Sequence, residues 1–508
     1  MLGLLGALPV AAAVRPAAAS TVDPPFERII QRPEFRDTQW GMAFYAPDTG
    51  QRLYSLRPDG LFIPASAIKV FIAGTAFSTL GPRHRFHTRV YRTGPVRDGV
   101  LHGDLVLVAG GDLLVGGRLR PDDTLALPEP DHTYGAPPVP GDPLATLRKL
   151  ADQVAAQGVR RIAGRVRVDA SLFREATEDI ANGNLAIQVS PMMLNDNVVD
   201  VVVHPGRAPG DPGVVEFSPR FGYVRIVNDV RTIPAADAPT GRMLRYVNDS
   251  ANADGTRTVT LTGDIPVDLP SVFRPYHVPT PVQFGALGFA TALRDKGISA
   301  VADPGASASG YAPHGRLAEH VSPPVSEEVK VMLKVSSNVH TAMWPHVVGA
   351  IAGHDAENPV AAYEAFRSRL LRRAGLDPSP PGSADGRYSA DFFVRFLAHM
   401  RKQPYFTEYR SALPILGRDG SLANLEIGSP AAGHVFAKTG TAVGKDPAND
   451  ATVHKALAGF MQLPNGRWLT FALFMEASTK TLEAGVELAN QAAKAMGEIC
   501  TAAYKSFS

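Results

Sequence analysis

The sequence changes character twice, and that pattern limits the folds open to it. Residues 40 to 55, WGMAFYAPDTGQRLYS, predict two strands about a turn at Asp48, Thr49 and Gly50. The following run, LFIPASAIKVFIAGTAFSTLGP, predicts a mostly buried helix. Pro64 suits its first position, and Gly81 and Pro82 end it. From about residue 88 to 302 the text turns to short strands: GDLVLVAGGD, RIAGRVRVDASLF, NVVDVVVHPG and RTVTLTGDIPV. Two helical patterns, at 144–158 and 284–297, interrupt them and end at glycine. Longer elements then return. A helical segment is expected over 325–343, a strand over 433–443, a hairpin over 457–475 and a helix over 482–504. The expectation is an α/β (α+β) unit, residues 20–87 and 303–508, bracketing a β-rich insert of two subdomains at 88–302.

With 508 residues and 45% hydrophobic composition, the chain can build two or three packed units. The 51 basic and 49 acidic residues leave a formal charge of +2, which argues against a nucleic-acid partner. Its single cysteine, Cys500, excludes an internal disulfide and a cysteine-based zinc site. No His-Glu-x-x-His spacing occurs, and no metal or cofactor is expected. The opening MLGLLGALPVAAAVRPAAAS is apolar and ends in small residues. Residues 1–19 are therefore read as an export signal, although they lack its usual basic start; the alternative is an Ala-rich tail. No later segment is long and apolar enough to span a bilayer. The expected product is an exported protein of the periplasm or outer cell envelope.

Three short patterns carry chemistry, in this order: Ser66-x-x-Lys69, Ser336-x-Asn338 and Lys438-Thr439-Gly440, followed by Thr441. Each is weak alone; together, on suitable elements, they point to acyl transfer. That reaction needs a nucleophile, a base, a proton relay and an oxyanion hole. Ser66, near a helix start, exposes a hydroxyl and keeps its backbone N–H free. Lys69 shares its face one turn on, and serves as base only once burial or a neighbouring cation depresses its pKa. Ser336 can relay a proton, Asn338 can hold a substrate amide, Lys438 can meet a carboxylate, and the Thr441 N–H can complete the oxyanion hole. The bland reading is a capping serine, a snorkelling lysine and an edge-strand lysine; it leaves Thr-Gly-Thr unexplained.

These residues resemble the active-site set of serine penicillin-binding proteins and β-lactamases. With FIPAS, RVRVDASLF, LNDNVVDVVVHPG, LAEHVSPPVSEEVKVMLKVSSN, GRDGSL and AKTGT, the chain is similar to the low-molecular-mass D-alanyl-D-alanine carboxypeptidase/endopeptidase family that carries a large insert. The resemblance implies a β-lactamase/transpeptidase-like domain, an antiparallel sheet flanked by helices. It implies acylation of Ser66 by peptidoglycan stem peptides or by β-lactam antibiotics, with Lys69 as base. Ser336 and Asn338 would assist, and Lys438, Thr439, Gly440 and Thr441 would bind substrate. The chain departs from the family's usual pattern at Ser337, where aspartate is typical, at Thr341 and Ala342, and in PGSADGRYSA. The alternatives are a β-lactamase or esterase on the same scaffold, and a non-catalytic envelope-binding protein with a decayed site.

Overall fold

Strands buried on both faces lose the simple polar–apolar alternation, and the centre of this molecule is built of them. In Trp468–Thr479, Leu469, Phe471, Leu473 and Met475 point to one side, whereas Ala472 and Phe474 point to the other. Gln39–Ala46 repeats the arrangement, with Met42 and Phe44 on one face and Ala43 on the other. In the computed structural model these strands lie inside a five-stranded antiparallel sheet. Its order is Val435–Lys445, Ala451–Gln462, Trp468–Thr479, Gln39–Ala46, Gln51–Leu56. The structure describes residues 25–180, 185–238, 243–303, 305, 307, 308, 311, 314–445 and 450–508; the expected export signal lies outside them.

The helix Leu482–Ser506 covers one face, burying Leu488, Ala492, Met496, Ile499 and Cys500 against the sheet. The other face packs on helices that include Lys69–Leu80 and Ala390–Arg401. Phe71 sets edge contacts of 4.7 and 4.5 Å on Phe393 and Phe396. Val435–Lys445 forms one edge of the sheet; Pro414 and Leu416 bond the outer side of its first residues, and the 64–67 turn packs beside Gly440.

A further core, with members from Val90 to Ala318, belongs to the β-rich part of the chain. The outgoing strand Arg85–Arg92 and the returning strand Gly315–Pro324 pair antiparallel. They share a sheet with Leu105–Val108 and Val166–Asp169. The helices Ala145–Ala156 and Pro281–Asp295 add to the same core. Smaller sheets follow, one about Val198–His204 and one in which Arg257–Pro266 is central.

The continuous helical segment expected over 325–343 is broken. Val325–Lys334 and Asn338–Gly353 are separate helices, and Ser336 between them has φ +58°. The lead-in to Lys69–Leu80 is also tighter than expected: Ala65–Ile68 forms a 3₁₀ turn, with Pro64 before it rather than inside it.

Candidate active site

Ser66 sits in the 3₁₀ turn, whose first residue, Ala65, has φ +43°. A positive φ is uncommon for alanine and costs backbone energy, so the surrounding structure must hold it. The lead-in is held by the Ile63 N–H, which donates to Glu476 Oε1 at 2.7 Å. The turn places half-buried Ser66 on the wall of a cleft of about 360 Å³. Glu129, Tyr134, Ser336, Asn338, Thr439, Thr441 and Lys455 also line that cleft.

Lys69 begins the following helix and is buried. Its ammonium donates to the Ser336 carbonyl, to Ser336 Oγ at 3.1 Å and to Asn338 Oδ1 at 2.8 Å. Burial, and next the nearby Lys438 charge, hold its pKa well below the ordinary lysine value; Asp131 and Glu129 oppose the shift. The break at Ser336 explains this geometry. Its left-handed backbone turns the carbonyl to the lysine, and the same oxygen accepts a 2.6 Å bond from the Tyr134 hydroxyl. Ser337 faces inward: it is wholly buried, and its hydroxyl accepts the His340 N–H at 3.4 Å, capping the next helix.

Lys438 to Thr441 lie on the edge strand, as expected, and that strand runs beside the Ser66 turn. A Cβ at Gly440 would stand 2.1 Å from the Pro64 carbonyl oxygen and 3.2 Å from the Ala67 nitrogen. Only glycine allows two backbones so close. Lys438 is buried; burial pulls its pKa down to about 7, opposed by Glu129 and aided by Lys455. Its ammonium donates to the Thr439 carbonyl at 2.9 Å, and the lysine does not line the cleft. Thr439 Oγ1 is 2.8 Å from Ser421 Oγ, in the GRDGSL turn. That turn is fixed to the helix preceding Ser336 by a 2.6 Å pair between Lys334 Nζ and Asp419 Oδ2.

Four polar residues of the cleft carry no role in the sequence analysis. Lys455, opposite Thr441 in the strand register, bonds Thr441 Oγ1 at 2.6 Å, and burial lowers its pKa to about 8. The signal was present, since a lysine in HKALAGF interrupts an otherwise apolar buried strand. Ser421 stood in a quoted run without a role. Glu129 and Tyr134 come from the proline-rich loop LALPEPDHTYG, where no periodicity marks them. Burial, reinforced by Asp131 and opposed by Lys438 and Lys69, pushes the Glu129 carboxyl up to about 7.

Behind that loop lies a buried polar network. Arg118 donates to both Asp131 and Asp196. His132 bridges Asp196 at 2.7 Å and Asp200 at 2.6 Å. Burial opposes protonation of His132, but the two carboxylates win and push its pKa up to about 10. His340 Nε2, two residues past Asn338, meets Asp196 Oδ1 at 3.1 Å. Asp131, His132 and Asp196 also bring their ligand atoms within 4.8 Å of one another, but the Arg118 guanidinium already supplies the positive charge there.

Taken together, the cleft offers a hydroxyl, a buried low-pKa amine beside a second hydroxyl and an amide, and an edge strand running beside them. That equipment suits transfer of an acyl group to serine. Known proteins agree. Residues 24–496 match the model of the D-Ala-D-Ala carboxypeptidase 3 (S13) family. The D-alanyl-D-alanine carboxypeptidase of an Actinomadura strain is 28% identical over 496 residues, covering 92% of this chain and 84% of that protein. The penicillin-sensitive carboxypeptidase A of Dictyostelium discoideum is 22% identical over 448 residues, 84% and 80% of the two chains. Penicillin-binding protein 4 of Haemophilus influenzae, solved with a β-lactam, superposes with a TM-score of 0.66 at 18% identity, over 95% of this chain and 99% of that one, which shows the shared fold. The chain belongs to the D-Ala-D-Ala carboxypeptidase 3 (S13) family and is a serine-type DD-peptidase.

Proposed function

We propose that the enzyme works through an acyl-enzyme on Ser66, with Lys69 as the base that takes the serine proton. The observation that carries this reading is the state of Lys69. It is one turn from Ser66, buried, and held by Ser336 and Asn338 with its pKa well below the ordinary value. An amine so placed gives up its proton more readily than an ordinary lysine, which is what a base for the serine proton requires. Ser336 Oγ, 3.1 Å from the Lys69 nitrogen, can pass that proton to the departing D-Ala amine. With Oδ1 engaged by Lys69, the Asn338 NH₂ remains to hold a substrate carbonyl. The N–H groups of Ser66 and Thr441 form the oxyanion hole, and Gly440 sets their separation. Thr439, Thr441 and Lys438 make the end that receives the substrate's free carboxylate.

The substrate in this reading is a peptidoglycan stem peptide ending in D-Ala-D-Ala, and β-lactams acylate the same serine. Such substrates lie outside the cytoplasmic membrane, which supports an envelope location; no described helix is long and apolar enough to cross a membrane. Residues 88–302 are assigned to an inserted unit whose Glu129–Tyr134 loop walls the cleft. The test is intact mass after incubation with benzylpenicillin, followed by peptide mapping. A slowly released adduct on the Ser66 segment is expected, and it disappears in Ser66→Ala. An adduct mapping elsewhere overturns the assignment, and rapid release favours a β-lactamase.

A further inference from the structure

Lys455 is a buried cation without a counter-ion. Its ammonium has one hydrogen bond, 2.6 Å to Thr441 Oγ1, and pairs with no carboxylate among the described residues. A buried charge costs free energy unless it is paired, so an isolated lysine that lines a cleft is set up for an anion from outside. Register fixes which groups would share that anion. Thr441 stands opposite Lys455, so both side chains leave the same face of the sheet. Thr439, two residues along, shares that face. Lys438 leaves the opposite face, which packs toward the Ser66 turn; it is buried, and its ammonium reaches back to the Thr439 carbonyl at 2.9 Å and to Thr439 Oγ1 at 3.4 Å.

We propose that Lys455 is the cation that directly receives the free carboxylate of the substrate's last residue, with the Thr439 and Thr441 hydroxyls as co-donors. This rests on the acyl-enzyme reading above and refines it. Lys438, on the side of the strand that faces Lys69, acts on that end of the cleft through Thr439, whose Oγ1 it meets at 3.4 Å. One carboxylate has two oxygens, and the ammonium and two hydroxyls converge as its donors. In this proposal the expectation that Lys438 itself meets the carboxylate is narrowed to a contribution made through Thr439.

The test compares an N-acylated D-Ala-D-Ala peptide with its C-terminal amide, using the full chain and its Lys455→Met and Lys455→Arg variants. For the acid, Lys455→Met should lower kcat/KM at least about tenfold, mostly through KM, as expected when binding to a charged partner is lost. For the amide, the loss should stay within about twofold. Lys455→Arg should recover most of the activity on the acid, because the charge returns; a melting scan of each variant separates this from loss of fold. Equal losses on acid and amide, or none on the acid, overturn the assignment of Lys455. The benzylpenicillin adduct separates the two levels. If it forms on Ser66 while the acid–amide contrast does not change, only the Lys455 role falls. If the parent forms no such adduct, the acyl-enzyme reading falls and takes this inference with it.

Discussion

Replacing Gly440 by alanine tests the oxyanion hole with a single methyl group. The added Cβ would lie 2.1 Å from the Pro64 carbonyl oxygen, 3.0 Å from Ala456 Cβ and 3.2 Å from the Ala67 nitrogen. Two of these neighbours are backbone atoms, so no rotamer change relieves the contact. The edge strand or the Ser66 turn must retreat by roughly 1 Å to restore van der Waals separation. Oxyanion donors act at about 2.7–3.1 Å, and losing one costs about 10²–10³ in rate. Crowding in a packed site typically costs about 1–3 kcal/mol of stability. Gly440→Ala should therefore remain folded, with a melting temperature lowered by a few degrees, while benzylpenicillin acylation slows about a hundredfold. Gly444→Ala is the control: it lies on the same strand, and nothing stands within 4 Å of its Cβ position. Stopped-flow acylation and differential scanning calorimetry on both variants give the answer. Acylation of Gly440→Ala at the parent rate would show that the strand does not carry an oxyanion donor.

Lys69→Ala should slow acylation by at least about a thousandfold, and Lys69→Arg should not restore it, because a guanidinium stays protonated; near-normal rates in the alanine variant would point to another base. In the parent, acylation should rise with pH as Lys69 loses its proton, through a range set well below the ordinary lysine value; a rate that falls across that range contradicts the base role. Lys438→Met should raise stability by about 1–4 kcal/mol, since it removes a buried charge that pairs with no carboxylate among the described residues. Its pKa is about 7 in the fold against the ordinary 10.5, so the cost of burying the ammonium is full below pH 7 and fades toward pH 10.5. The gain in melting temperature should be large at pH 6 and small at pH 10, and equal gains at both would refute it.

The candidate residues of this site were legible where they lay within one short stretch of chain. Ser66 and Lys69 are three residues apart, and Lys438 to Thr441 are contiguous, so their residue types announce themselves. The break at Ser336 was not legible. Val325, Val329, Met332, Val339 and Met343 are all buried, and their spacing runs on in helical phase across the kink. Periodicity therefore reads straight through it. What imposes the left-handed turn is tertiary: the Ser336 carbonyl is claimed by Lys69 and by Tyr134, the latter about two hundred residues away in sequence. The far wall of the cleft follows the same logic. Arg118, Asp131, His132, Asp196 and Asp200 are scattered across the β-rich region and look like ordinary surface charges in sequence, yet all are buried. Each would be costly alone; they are tolerated because each charge meets an opposite one or a hydrogen-bond partner. One end of this network, Asp131, holds the loop that brings Glu129 and Tyr134 to the cleft. The other reaches His340, in the first turn of the helix that starts at Asn338. The β-rich region is thus joined to the helix that starts at Asn338 by paired charge rather than by apolar packing alone. Directional bonds of that kind fix the relative position of two elements more tightly than a greasy contact does, and here the two elements carry Tyr134, which bonds the Ser336 carbonyl, and Asn338, which shares Lys69 with it.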